Sequence, residues 1–240
     1  MSTVEMGVPS ENNIQKIELV DMIEVEDEMS DNSDDNADCD FDTSDDEQSF
    51  DTLPLKINWL DVSPYGLPGQ LGLSDLPGCR FSSVWRKLKT DIDDLKKIGI
   101  SDMFPLCTKA ELIRYRVPNL LSDYATAEFS LHYFPIQESL EITDILEVLD
   151  RLRKVLSAGR KLLLHCYGGQ GRSCIIAACL LLQLDQGMSS ETAIEKLQEL
   201  RGHNAIETVK QYNFVNDFRK LEEECHEAMK TEGELRSVSR

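Results

Sequence analysis
The stretch Lys161–Gln183 reads KLLLHCYGGQGRSCIIAACLLLQ. Its first part, KLLLHC, is a short continuous apolar run of the kind that forms a strand buried on both faces. The part after Arg172 is apolar on nearly all sides and long enough for a central helix. Between them Gly168, Gly169 and Gly171 allow the backbone to curl tightly. A buried strand passing into a helix through a glycine-rich turn is the repeating unit of an α/β sheet. Ligands in such folds sit at the carboxyl ends of strands, which is where this turn lies.

The flanking sequence extends the pattern. PLKINWLDV (54–62) reads as a strand, and SPYGLPGQLGLSDLPG (63–78) as loop with turn signals. TDIDDLKKIGI is an amphipathic helix with Thr90 as N-cap and Gly99 as its stop. SDMFPLC is a strand ending at Cys107, ELIRYRVPNLLSDYATAEF is helix and then loop or a second helix, and SLHYFPI is a strand. Ile145, Val148, Leu149, Leu152 and Val155 recur at helical spacing, with Thr143 placed to cap that helix and Gly159 to end it. Helices follow over SSETAIEKLQELRG and TVKQYNFVNDFRKLEEECHEAM. This alternation predicts an α/β fold: a central, mostly parallel sheet with helices on both faces.

Charge divides the chain. Residues 1–52 hold eighteen Asp and Glu against one base, Lys16, which leaves −2 of the total −19 for the rest. So acidic a segment cannot bury enough apolar surface to order itself, and Ser33, Thr43, Ser44 and Ser49 lie among its acids as candidates for an acid-directed kinase. The expected organisation is a disordered acidic tail (1–52), a folded domain (53–230) and a flexible polar C-terminus (231–240). A near-neutral domain lacks the basic footprint of a nucleic-acid binder. No apolar run is long enough to span a membrane, and the N-terminus does not read as a secretory signal. Seven cysteines without disulfide-like spacing suit a reducing compartment, cytoplasmic, perinuclear or nuclear, and Cys174 and Cys179 sit in apolar runs as core fillers. A monomer is expected.

The chemistry of the turn follows from its residues. A turn feeding a helix N-terminus aims backbone N–H groups at one centre, and the helix dipole favours negative charge there. Such a nest fits a tetrahedral oxyanion such as phosphate. Arg172 adds a guanidinium fork for two of its oxygens. Thiols beside helix N-termini and cations ionise readily, and the thiolate is the nucleophile, so Cys166 is placed to attack phosphorus in line. Tyr167, Gly168, Gly169, Gln170 and Gly171 form the cradle. Ser173 is placed to donate a hydrogen bond to the sulfur, and His165 to orient the loop. No second cysteine or histidine stands nearby at zinc spacing, and no metal or cofactor is expected.

HCYGGQGRS resembles the signature of the cysteine-based protein tyrosine and dual-specificity phosphatases: His-Cys, five residues, Arg-Ser/Thr. LPGCRF, GISDMFPLCTKAELIRYRVPNLL, AIETVKQYNF and the final RSVSR are similar to a kinase-associated group within that family, and the resemblance covers about residues 53–240. It implies a dual-specificity phosphatase fold, a phosphocysteine intermediate, and as partner a phosphorylated cyclin-dependent kinase whose activation-segment threonine is the substrate. The family's general acid is an Asp; the matching position in FPIQESLEITD holds Glu138, with Glu141 and Asp144 as substitutes. Where some relatives place a water-holding Gln this chain has Glu207, with Gln211 nearby. Cys107 ends a strand of the sheet and is a candidate resolving thiol, or simply core. Phosphoinositides would favour lysines in the cradle, whereas Tyr167 and Gln170 are neutral, which points to a protein substrate. A kinase-binding scaffold with weak catalysis is the reading motivated by Glu138 and Glu207.

Overall fold
The computed structural model describes residues 54–81, 84–137 and 139–238. The acidic segment 1–52, with its candidate phosphorylation sites, and Glu138 lie outside the described residues. Five strands form one sheet: β1 (Ile57–Leu60), β2 (Gln70–Ser74), β5 (Asp102–Pro105), β6 (Ser130–Leu131) and β7 (Lys161–His165), in the order β1-β2-β7-β5-β6. β1 runs antiparallel to β2; every other pairing is parallel. A small hairpin, β3 (Arg80–Phe81) and β4 (Val84–Trp85), stands apart from the sheet.

β7 is central, and its side chains alternate between two cores. Leu162 and Leu164 face a cluster built with α4 (Ile142–Ser157), α5 (Arg172–Leu184), α6 (Ser190–Arg201) and α7 (Val209–Val238). Leu163 faces the other cluster, with α1 (Leu88–Lys97), α2 (Lys109–Arg114) and α3 (Leu120–Thr126). Burial on both faces is why KLLLH shows no alternation in sequence. All residues of α5 from Ser173 to Leu182 are buried, and truncating Leu180, Leu181 or Leu182 to alanine is expected to cost ~2–5 kcal/mol. Among the described residues no helix is long and apolar enough to cross a membrane.

Several elements differ from the sequence reading. β2 lies within a segment expected to be loop. Its punctuating Gly72 is a packing residue: a Cβ there would lie 2.9 Å from Ile57 Cγ2 and 3.2 Å from Leu163 Cδ1, so the glycine admits its neighbours' side chains rather than marking a turn. The strand over SLHYFPI is cut to Ser130–Leu131, though His132 N–H still donates to the Met103 carbonyl and Phe134 N–H to that of Pro105. α1 begins at Leu88, before Thr90, and α4 begins after Glu141, with neither Thr90 nor Thr143 acting as cap. Gly99 and Gly159 end their helices at positive φ, 80° and 75°. α7 continues to Val238, through residues expected to be a flexible tail, because no glycine-proline signal stops it and Gly233 alone is tolerated within a helix.

Candidate active site
β7 delivers His165 and Cys166 to the carboxyl edge of the sheet, and α5 starts at Arg172. The turn between them is held from outside by its carbonyls. Tyr167 O accepts from Leu76 N–H (2.8 Å), Gln170 O from Ile206 N–H (3.1 Å) and Gly171 O from Ile175 N–H (3.0 Å). Gly168 O and Gly169 O both accept from Arg201, at 3.2 and 3.0 Å, and the Cys174 thiol also donates to Gly169 O. With the five carbonyls engaged outward, no described group accepts an N–H from Tyr167 through Gly171. The inward amides are thus available to an anion lying over Cys166. Gly169 adopts φ 61°, and a Cβ there would overlap the Ser74 carbonyl and Arg201, so this position requires glycine.

Arg201, the last residue of α6, is 5% exposed at its side chain. Besides the two loop carbonyls it donates to Asn58 Oδ1 (2.9 Å), Leu73 O (3.4 Å) and Asp75 Oδ1 (2.5 Å). One guanidinium thereby fixes the cradle to the ends of β1 and β2. The sequence reading missed it; its only local signal is an arginine closing a helix before Gly202.

Arg172 is gripped end-on. Nη1 donates to Glu111 Oε2 (2.8 Å) and Nη2 to Glu111 Oε1 (2.6 Å), while Nη1 also reaches the Ile136 carbonyl (2.8 Å). This leaves the Nε edge of the guanidinium, a second bidentate face, for phosphate oxygens. Burial works against the charge on Arg172, but its hydrogen bonds to Glu111 outweigh this and hold the guanidinium ionised. Burial likewise opposes the Glu111 carboxylate, and the bonds from Arg172 and the Thr108 N–H pull it below its ordinary value. Glu111 was not among the expected site residues. Its signal was present as Thr-x-x-Glu: Thr108 and Glu111 form a reciprocal capping box at the start of α2, which fixes the carboxylate that holds Arg172.

His165 is fully buried, and its Nε2 shares a hydrogen bond of 3.1 Å with the Tyr124 hydroxyl. Burial lowers its pKa to about 3, which keeps the imidazole neutral and makes it a positioning group rather than a proton carrier. Ser173 is buried, but its Oγ has no hydrogen-bond partner, so the expected donation to Cys166 is not made in this structure. Cys107 is buried behind the cradle, and burial, then the Cys166 charge, push its thiol far up. The two candidates for the hydrolytic step separate. Glu207 is exposed, whereas Gln211 lies against the cradle, its Nε2 2.9 Å from where a Cβ on Gly171 would be. Gln170 turns its amide to the Arg201 carbonyl (3.3 Å). Glu141 and Asp144, at the start of α4, are exposed, and Asp144 sits in the helix's first turn.

A buried cysteine at a strand end, an anion cradle over it and an ion-paired arginine opening the next helix define a cysteine-based phosphatase of the dual-specificity class. Comparison with known proteins narrows this. The family model described as cyclin-dependent kinase inhibitor 3 (CDKN3) matches residues 32–194, and the chain belongs to that family. The human cyclin-dependent kinase inhibitor 3 is 46% identical over 182 residues, covering 75% of this chain and 86% of that protein. The rat protein of the same name is 44% identical over the same shares. A crystal structure of kinase-associated phosphatase with its catalytic cysteine changed to serine is 45% identical, covers 70% of this chain and 96% of the other, and superposes with a TM-score of 0.67. A more distant structure, Tk-PTP in its active form, is 21% identical with a TM-score of 0.52 and shares the fold.

Proposed function
We propose that this phosphatase removes phosphate from phosphothreonine and phosphotyrosine on a cyclin-dependent kinase, and so restrains that kinase. The partner is drawn from the name that its relatives carry. The observation behind the chemistry is the turn whose carbonyls all point outward, leaving its amides to an oxyanion above Cys166. In the first step the Sγ–P bond forms as the P–O bond to the substrate side chain breaks. The Nε edge of Arg172 and the loop amides bind the three equatorial oxygens, whose charge they match best in the transition state. The leaving oxygen takes a proton from a carboxylic acid, for which Glu138 is the candidate: the chain enters that loop at Ile136, whose carbonyl accepts from Arg172. In the second step water attacks phosphorus, Sγ leaves as thiolate with Ser173 Oγ available to donate to it, and inorganic phosphate departs. The nearness of the Gln211 amide to Gly171 supports Gln211 as the group that holds that water.

The test is phosphate release from a threonine-phosphorylated cyclin-dependent kinase by wild type, Cys166→Ser and Glu138→Gln. Turnover by wild type, none by Cys166→Ser, and a slower Glu138→Gln whose pH profile has lost its basic limb support the scheme. A Cys166→Ser protein that restrains the kinase as well as wild type would mean that binding, not hydrolysis, carries the function.

A further inference from the structure
Tyr167, next to the nucleophile, stacks on Tyr115 with ring centres 4.1 Å apart and planes 14° from parallel. Phe81 of the β3–β4 hairpin meets both rings edge-on, at 5.4 and 6.0 Å. On this aromatic wall lie arginines: the Arg114 guanidinium sits 5.4 Å from the centre of the Phe81 ring, and Arg116 lies 6.0 Å from that of Trp85. Arg80 begins the same hairpin, and its N–H donates to the Tyr115 carbonyl. Arg80, Arg114 and Arg116 are exposed, and none of the three is ion-paired among the described residues. Segments 79–90 and 108–117 together carry seven bases and one acid, Glu111, which is already held by Arg172; of the seven, Arg86 is paired with Asp75 and Asp91, which leaves six on this face. Residues 53–240 as a whole carry −2, so this positive face is a local concentration.

Exposed charges are most often just solvated. Two features set this face apart. Arg114 and Arg116 lie over aromatic rings, which limits their rotamers while leaving the planar fork of donors open at the edge, and Arg80 starts the hairpin that carries those rings. And the rings beneath continue into the signature loop itself, through Tyr167. We propose that this face is a second anion site, which binds the carboxylates of acidic residues flanking the phosphorylated residue of a protein substrate, with Arg80 and Arg114 as the specificity-determining side chains. The inference rests on the phosphatase reading above: the substrate's phosphate fills the cradle while its neighbouring acidic side chains reach the aromatic-arginine wall. Such contacts are charge-assisted but lie near the surface, so they tune KM and weaken with salt.

Two phosphothreonine peptides of one sequence, with glutamates or with glutamines around the phosphoresidue, test this with the full chain. Wild type is expected to favour the glutamate peptide by about fivefold in kcat/KM at low salt, chiefly through KM, as a few weak surface ion pairs allow. In the double variant Arg80→Gln/Arg114→Gln, which keeps polar side chains at both positions, the ratio should fall towards one. A ratio near one in wild type, or an unchanged ratio in the variant, overturns the proposal. If wild type hydrolyses neither peptide above the Cys166→Ser level, the phosphatase reading fails instead. Fluorescence anisotropy of the same peptides, labelled, then reads the glutamate preference directly and decides the second site on binding alone.

Discussion

Arg172 and Glu111, 61 residues apart, meet through two parallel hydrogen bonds of 2.8 and 2.6 Å, and Glu111 is in turn locked by the Thr108 N–H at 2.8 Å. The signature arginine is therefore aimed before any phosphate arrives. Pre-aiming matters because a displacement of about 1 Å in a catalytic group costs on the order of a hundredfold in rate. Glu111→Gln keeps the shape, loses the charge and frees the fork, so kcat/KM for p-nitrophenyl phosphate should fall by about 10- to 100-fold. Its stability should drop by only ~1–3 kcal/mol, since the pair is partly exposed. Steady-state kinetics beside a urea melt separate the two effects; a loss of stability without a loss of kcat/KM would assign Glu111 a purely structural part.

Arg201 makes the corresponding prediction for the cradle. Arg201→Met retains the apolar stem and releases the Gly168 and Gly169 carbonyls, which can then turn inward. Affinity for vanadate, a phosphate mimic held by the same amides, should weaken about tenfold or more, and kcat should fall with it. Isothermal titration on wild type and variant reads the first, and unchanged vanadate affinity would show that the loop holds its shape without this residue.

Gln211 and Glu207 are told apart by the second chemical step. Gln211→Ala should slow hydrolysis of the phosphocysteine more than its formation, so a burst of p-nitrophenol precedes a steady rate that is lower by about tenfold. Glu207→Gln, at an exposed position, should show the same time course as wild type. Rapid-quench kinetics with both variants checks the assignment.

The buried His165 ties stability to pH. It is held at about 3 in the fold against 6.5 when free, so between these values the unfolded chain binds a proton that the folded chain refuses. Stability is therefore complete above about pH 6.5 and falls as pH is lowered through that window, by at most ~1.4 kcal/mol per unit. His165→Gln, which can still bond Tyr124, should show a smaller loss of Tm than wild type between about pH 7.5 and about pH 5. Equal losses would place the acid sensitivity elsewhere.

The parts of this molecule that were legible in sequence are those whose cause is local. KLLLH shows itself by its apolar run, the turn by its three glycines, and α4 by its period of apolar residues, and each forms where read. β2 was hidden because the glycine that lets Ile57 and Leu163 pack against it looks like a turn signal. Cys166 and Arg172 can be picked out because they sit six positions apart. Glu111 and Arg201 act on the same loop but reach it from distant elements, and nothing within either segment states what it will touch. Their hydrogen-bonding chemistry is local, yet their partners are supplied by the topology of the sheet.

The reach of Arg201 also sets an order in time. It bonds Asn58 across 143 positions and Asp75 across 126, and it lies beyond the nucleophile in the direction of synthesis. A nascent chain exposes Cys166 and Arg172 before the residue that shapes the turn between them has been made. A chain stopped short of α6 carries every residue of its signature but lacks the guanidinium that holds the Gly168 and Gly169 carbonyls, so this part of the cradle is completed late in synthesis.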